Sequence, residues 1–445
     1  PVHGSGYVPV TKILKKLGIT ATVISEQANP DTEFSTVKVP NPEYAETLSI
    51  AIEKAKEIGA DVVFGTDPDC DRLGVAIKDG EEFKSLSGNQ VGVLLLDYIL
   101  KRLKEKGKLN SSNFAVISFV TTSLAKSVAN DYGIDLMETP VGFKYIGEKI
   151  KLYDDTGRRK FVFGFEESCG YLRGTHARDK DGVVASMLFA EMFCYYTYNG
   201  ISIKDRLEEI YKKYGYVVDK SVSVEYSGLN AMDEMNKVVN SMRKSTVKTI
   251  GKEKVKATRD YLTLTKKITN GDVVKIDCDT ANAVYYELEG GGFVCLRPSG
   301  TEPKLKIYYS LKAKDEETAN AKLEELKTAV SDLDKATVKI GSTYGDNLNY
   351  VRRYLLEDGT YATTPGVGQA TPIAHETEAD NEMQIIYFER ENQKDVVLMN
   401  WQCHYAGAVN KDYTAVSADW VCGFRRNTDT EMSMNGFVVG GSIPL

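Results

Sequence analysis

The sequence contains no CxxC pair, no apolar run long enough for a bilayer and no excess of basic residues, and each absence removes a class of function. Its seven cysteines (Cys70, Cys169, Cys194, Cys278, Cys295, Cys403 and Cys422) are odd in number and scattered. Neither a disulfide framework nor a cysteine zinc site follows from that spacing, so most of them read as small buried apolar residues. A membrane span needs about 18 uncharged apolar residues, and the longest candidates, around Leu94 and Met187, are cut by Asp97, Asp181 and Glu191. A net charge of −7 argues against a nucleic-acid binder, because phosphate backbones are held by clustered Lys and Arg. A soluble cytoplasmic protein with neither nucleic acid nor membrane as partner is expected. The opening PVHGSGYVPV has no initiator Met, no basic start and no apolar signal core, which leads to the expectation of a fragment.

What is present is an ordinary globular composition, 42% apolar and 27% charged over 445 residues. At about 100–200 residues per domain that length predicts two to four domains. In the first third, strands and helices alternate. Leu48, Ala51, Ile52, Ala55 and Ile58 recur at helical spacing, Gly59 stands where a C-cap belongs, and Val62 to Phe64 form a short apolar run. Val91 to Leu103 then read as a helix and Ala115 to Phe119 as a strand. Such alternation predicts a largely parallel sheet with ligands at the carboxyl ends of its strands. The charged, less periodic stretches Lys101 to Asn110 and Val222 to Gly251 read as linkers. Beyond Val247, shorter strands (Val273 to Ile276, Val284 to Glu287, Leu305 to Tyr309) and an amphipathic helix from Glu316 to Val330 suggest a small α+β domain. Residues 1–336 carry 48 Lys+Arg against 49 Asp+Glu, whereas 337–445 carry 8 against 14, together with both tryptophans, Trp401 and Trp420. That shift marks the tail as a different module.

Three loops carry chemistry. Gly65-Thr66-Asp67-Pro68-Asp69-Cys70-Asp71-Arg72 follows a predicted buried strand, and in a near-extended loop its alternate carboxylates would converge. Three such groups repel one another unless something neutralises them. An all-oxygen set suits Mg²⁺ better than zinc. An EF-hand is excluded, because its sixth position would be Arg72 instead of Gly and its twelfth Lys78 instead of Glu. Gly164-Phe165-Glu166-Glu167-Ser168-Cys169-Gly170-Tyr171, with Arg173, His176, Arg178, Asp179, Lys180 and Asp181 behind it, offers carboxylates and a hydroxyl to sugar hydroxyls. Glu166 and Glu167 could equally cap the helix near Val183 to Cys194, and His176 could be a surface histidine. Arg297-Pro298-Ser299-Gly300-Thr301-Glu302-Pro303-Lys304 is a phosphate cradle or a Pro-Gly hairpin with exposed charges. Val141-Gly142-Phe143-Lys144-Tyr145-Ile146 sets a lysine beside a turn glycine, as a snorkelling surface side chain would be.

In this order and spacing the loops resemble those of the α-D-phosphohexomutase family, most closely its phosphoglucomutase branch, over residues 1 to about 336. The resemblance implies four domains that each give one loop to a central cleft. It implies that Asp67, Asp69 and Asp71 hold Mg²⁺, that Glu166 and Ser168 hold sugar hydroxyls, and that Arg297, Ser299, Gly300 and Thr301 hold the non-transferring phosphate. Lys180, as acid or base, and Arg72 are its implied catalytic residues. Implied partners are hexose phosphates (glucose 1-phosphate, glucose 6-phosphate and glucose 1,6-bisphosphate), with glucose and mannose preference left open. The implied activity is intramolecular phosphotransfer. In that family a phosphoserine passes its phosphoryl group to the sugar, the bisphosphate reorients, and the other phosphate returns to the serine, with Mg²⁺ offsetting the moving charge. The serine's Thr-Ala-Ser-His-Asn-Pro type motif occurs nowhere in the sequence, and PVHGSGYVPV, with His3 and Gly6, resembles the segment entering the second domain.

The expected organisation is a metal-binding α/β domain at 1–109, a sugar-binding α/β domain at 110–245, a phosphate-binding α+β domain at 246–336, and a strand-rich fragment at 337–445. The chain would then be a phosphoglucomutase-like mutase without its phosphoserine domain, or a non-catalytic sugar-phosphate and Mg²⁺ binding module. The tail segment Val396 to His404, with Ser417-Ala418-Asp419 following, is distantly similar to the neutral ceramidases, zinc amidases in which a histidine at the place of His404 is a ligand. His375 is the one other histidine of the tail, too few for a complete zinc site.

Overall fold

The computed structural model describes residues 1–331, except 228–230, 270 and 301, and beyond them only a set of backbone strands. It divides into two units, Pro1–Leu326 and Lys327–Leu445.

The first unit opens with α1 (Tyr7–Lys16) and α2 (Ser49–Ile58). Gly59 closes α2 at φ 66°, a left-handed cap that costs glycine nothing. There follow β1 (Val62–Thr66), β2 (Leu73–Asp79) and β3 (Glu82–Leu86), a sheet in the order β1-β2-β3. It is antiparallel throughout, unlike the parallel arrangement predicted, because each connection here is a tight turn too short for a helical crossover. The parallel prediction holds for the next sheet, where β4 (Asn113–Ser118) runs parallel to both β5 (Asp135–Thr139) and β6 (Lys160–Glu166), with the short β7 (Gly170–Leu172) antiparallel on β6.

Helices cover these sheets: α3 (Gly88–Glu105), α4 (Leu124–Asp131), α5 (Phe143–Thr156), α6 (Gly182–Tyr198) and α7 (Ile203–Tyr214). Ser87 starts α3 as a capping box, its Oγ accepting from the Gln90 N–H while the Gln90 side chain accepts from the Ser87 N–H. Leu94, Leu95, Leu96 and Leu100 of α3 are fully buried against Leu73, Val75, Phe163 and Phe189, each burial worth roughly 1.5–3 kcal/mol. Asp97 on the same helix is also buried, matched by Arg206 of α7 at 2.6 Å. The expected linker at Lys101 to Asn110 is therefore helical as far as Glu105.

Val222 to Gly251 likewise proves to be structure. β8 (Tyr216–Glu225) is followed by α8 (Ala231–Lys244), β9 (Thr249–Ile250), β10 (Glu253–Asp260), β11 (Thr265–Ile268), β12 (Val273–Lys275), β13 (Val284–Leu288), β14 (Gly292–Pro298), β15 (Lys304–Ala313) and α9 (Glu316–Ser331). Their sheet has the order β12-β11-β10-β13-β14-β15-β8, with β9 on β10. β8 pairs with β15 from Tyr216↔Ala313 to Glu225↔Lys304, so its exposed charges mark one face of a strand. This sheet is seated on the preceding one through Phe119, whose ring stacks on Tyr261 with centroids 3.9 Å apart, and through a 2.9 Å ion pair between Arg259 and Glu138. The Ser123 N–H also donates to Ser310 Oγ at 3.1 Å.

The second unit is strand-rich, as expected. β16 (Ala336–Tyr344), β17 (Arg353–Leu356), β18 (Tyr361–Thr363), β19 (Pro372–His375), β20 (Glu382–Arg390), β21 (Val396–Trp401) and β22 (Asn435–Val439) form two sheets, β16-β20-β21-β22 and β18-β17-β19. The α/β fold class with a strand-rich C-terminal region therefore holds. No helix among the described residues is long and apolar enough to cross a membrane.

Candidate active site

The acidic loop leaves β1 at Thr66 and turns back into β2 at Leu73. It is a turn and not an extended strand: the Cys70 N–H bonds the Asp67 carbonyl, and Cys70 adopts φ 59°. The convergence predicted from alternation occurs nevertheless, because Asp67 Oδ1 accepts from the backbone N–H groups of both Asp71 and Arg72, folding the loop around it. Carboxylate oxygens of Asp67, Asp69 and Asp71 lie within 4.8 Å of one another, with Asp67 buried and Asp69 exposed. Burial pushes the Asp67 carboxyl up to about 7; the Arg72 N–H opposes this, and the nearby Asp71 and Asp69 add to it. Asp71 Oδ1 is buried without a hydrogen-bond partner. Hard oxygen donors, crowded and partly unsatisfied, fit a divalent cation such as Mg²⁺.

Two basic side chains already lean on this cluster. Arg72 Nε stands 3.4 Å from Asp67 and 3.8 Å from Asp71, while its guanidinium also reaches Glu43 at 3.7 Å. Lys180 Nζ lies 2.5 Å from Asp71 and 3.5 Å from Asp179. Burial works against the Lys180 charge, but Asp71 and Asp179 outweigh it and hold the ammonium above the ordinary lysine range. Lys180 is thus held in its charged form in this arrangement.

The Glu166 to Gly170 loop joins the acidic loop directly. The Leu73 N–H donates to the Cys169 carbonyl at 3.0 Å, Arg72 bridges Gly170, and the Gly182 N–H donates to the Cys70 carbonyl. Glu166 is buried and its Oε1 accepts from the Gly142 N–H at 2.7 Å. Burial raises its pKa against the pull of Gly142 and Lys180. Glu167 takes a hydroxyl hydrogen bond from Ser118 at 3.2 Å, and burial beside Glu166 pushes its carboxyl up to about 7. Neither glutamate caps α6; Asp181 does, accepting from the Val183 and Val184 N–H groups. His176 is a half-exposed side chain bonded to Asp181, as the surface reading had it.

The third loop joins β14 to β15. Arg297 donates to the Tyr308 hydroxyl at 3.2 Å within its own sheet, and the Ser299 N–H donates to the Lys304 carbonyl. Gly300 is exposed at the tip, and Thr301 lies outside the described residues. Tyr308 is within electrostatic reach of both Arg297 and Glu167, which relates this loop to the glutamate loop. The acidic and glutamate loops are thus brought together by direct bonds, and the Arg297 loop sits on the adjoining sheet.

Glu43 and Gly142 were not picked out as site residues by sequence reasoning. Glu43 carries no pattern. Gly142, in the Val141 to Ile146 segment, does: its φ of 124° demands glycine, and its N–H orients Glu166. Lys144 of the same segment is exposed, as expected, with Nζ 4.9 Å over the Tyr145 ring. In the tail, His404, Ser417, Ala418 and Asp419 lie outside the described residues.

Family models described as phosphoglucomutase/phosphomannomutase alpha/beta/alpha domain II and domain III match residues 1–80 and 87–214. Residues 1–214 belong to the α-D-phosphohexomutase family. Curated relatives include the phosphoglucomutase of Staphylococcus aureus strain MRSA252, 35% identical over 323 residues, which are 71% of this chain and 56% of that protein. The same enzyme of strain N315 is 34% identical over the same span. The chain therefore spans about half the length of the curated relatives it matches. Among solved structures, a putative phosphomannomutase from Thermus thermophilus is similar at TM-score 0.51 and 21% identity, over 74% of this chain and 59% of that one. The phosphoglucomutase pp63/parafusin of Paramecium, in its open form, is similar at TM-score 0.53 and 21% identity, over 75% and 56%. These likenesses show the fold.

Proposed function

We propose that the chain supplies the metal, sugar and phosphate contacts of a phosphoglucomutase-type intramolecular phosphotransferase acting on glucose 1-phosphate and glucose 6-phosphate through glucose 1,6-bisphosphate. Asp67, Asp69 and Asp71 would hold Mg²⁺, which when bound offsets charge on the transferring phosphoryl group. Glu166 and Ser168 take sugar hydroxyls, and Arg297, Ser299, Gly300 and Thr301 take the phosphate that does not move. Lys180, charged and tied to Asp71, donates a proton toward the sugar oxygen, while Arg72 screens the acidic cluster. One observation carries the reading: three carboxylates within 4.8 Å after β1, with Lys180 paired to Asp71 and the Leu73 N–H at the end of the acidic loop bonded to Cys169 of the loop that bears Glu166 and Ser168.

A second reading is a sugar-phosphate and Mg²⁺ binding module without turnover. Calorimetric titration of glucose 1-phosphate into the Mg²⁺-loaded chain tests what both readings share; no saturable heat contradicts both. Phosphoryl transfer to glucose 1-phosphate from an added phosphoserine domain then selects the enzyme reading, and failure of transfer with binding intact selects the module.

A further inference from the structure

Glu43 has no role in the proposed sugar-phosphate chemistry, yet it touches a residue that does. It sits in the turn Asn41 to Tyr44, just ahead of a 3₁₀ turn at Ala45–Leu48 that runs into α2. That turn is fixed from several sides. The Glu43 N–H donates to the Asn41 side-chain oxygen and the Tyr44 N–H to the Asn41 backbone carbonyl, while the hydroxyl of the buried Thr47 is shared between the carbonyls of Val39 and Asn41. Pro42 lies against β2 at Gly74, where a Cβ would meet its carbonyl oxygen at 2.7 Å. The backbone that carries Glu43 is therefore held on the sheet to which the acidic loop belongs. Its carboxylate has one ion-pair partner among the described residues, the Arg72 guanidinium.

Arg72 is shared between two acidic neighbourhoods. Its Nη1 stands 3.7 Å from Glu43 Oε2, and its Nε stands 3.4 Å from Asp67 Oδ2 and 3.8 Å from Asp71 Oδ1. A committed guanidinium–carboxylate pair closes to about 2.7–2.9 Å, as Arg206 does on Asp97 at 2.6 Å, so Arg72 is bound tightly on neither side. Lys180, by contrast, is committed to Asp71 at 2.5 Å. A divalent cation among the three carboxylates takes the oxygen lone pairs that Arg72 faces, and positive charges at that range repel. A partly buried guanidinium that withdraws needs another acid, and Glu43 is the one it already touches. We propose that Glu43 is a positioning residue for the cation site: it receives the Arg72 guanidinium when a divalent cation enters the Asp67, Asp69 and Asp71 cluster, so that Arg72 stops competing for the carboxylates. This rests on the metal reading of that cluster. Because Glu43 lies within electrostatic reach of Glu167, the guanidinium drawn toward it stays beside the glutamate loop.

Calorimetric titration of MgCl₂ into the full chain is the test. Glu43→Gln keeps the size of the side chain and removes its charge, and should weaken Mg²⁺ binding about two- to fivefold, the scale of a partly exposed ion pair. A plain field effect of the lost charge would do the same, so the cycle is closed with Arg72→Gln. In that background Glu43→Gln should leave the Mg²⁺ dissociation constant unchanged, because no guanidinium is there to be received. If Arg72→Gln does not fold, the side-chain Nε–H resonance of Arg72 in the parent chain decides: it moves on Mg²⁺ saturation if the guanidinium changes partners and holds still if it does not. Unchanged Mg²⁺ affinity in Glu43→Gln, an equal loss in the Arg72→Gln background, or an unmoved Arg72 resonance overturns the proposal and leaves the metal reading standing. A parent chain without saturable Mg²⁺ heat overturns both.

Discussion

Lys180 Nζ lies 2.5 Å from Oδ2 of Asp71, so one ion pair fastens the segment entering α6 to the loop leaving β1. Because the Leu73 N–H also donates to the Cys169 carbonyl and Arg72 bridges Gly170, the acidic and glutamate loops behave as one surface. A change in either is expected at the other.

Asp69 is the exposed member of the acidic triad, so Asp69→Ala removes a cation ligand without opening the core. Mg²⁺ affinity measured by calorimetry should fall sharply while the thermal midpoint is unchanged. Unchanged Mg²⁺ affinity would remove the metal assignment.

In the proposed reading Arg297, near the end of β14, offers a planar fork to phosphate. Arg297→Ala should weaken glucose 1-phosphate binding by about 1.5–3 kcal/mol, roughly ten- to a hundredfold in dissociation constant. An unaltered constant would mean that the loop is only a hairpin.

Gly142→Ala forces a side chain onto φ 124°, a strain of about 1–3 kcal/mol, and disturbs the N–H that holds Glu166. Glucose 1-phosphate binding should weaken several-fold with Mg²⁺ binding retained. Equal loss of both would point to unfolding, and the urea midpoint separates the two outcomes.

Asp219 on β8 is pushed by burial up to about 6 from an ordinary 3.8, against hydrogen bonds from Ser310 and Thr122. A carboxyl raised in the folded state binds more protons there than in the unfolded chain, so its contribution is fully present below about pH 4 and is lost as pH rises through 6. Asp219→Asn should therefore gain on the parent between pH 4.5 and 7.5, by about 2 kcal/mol. Urea unfolding at the two pH values checks it; a difference independent of pH would contradict it.

The elements that position this site were legible where one periodicity dominated. Leu48 to Ile58, Val91 to Leu103 and the apolar runs before each loop announced helices and strands, and three loops at strand ends marked the candidate site. Strand direction in the first sheet was not legible, because β1, β2 and β3 are joined by turns whose apolar content looks the same in either orientation. The Val222 to Gly251 stretch misled because β8 buries little beyond Val217 and takes its order from hydrogen bonds to β15, which leave no mark in side-chain pattern. The convergence of Asp67, Asp69 and Asp71 was expected from an extended loop, whereas the turn at Cys70 is what brings the acids together.

The most direct test of a single metal and sugar-phosphate site uses Mn²⁺ as a paramagnetic substitute for Mg²⁺ and the ³¹P resonance of glucose 1-phosphate. With the chain present, Mn²⁺ should broaden the bound phosphate signal well beyond its effect on free sugar phosphate, and Asp69→Ala should abolish the excess. Broadening no greater than in free solution, or unaffected by Asp69→Ala, would contradict the account.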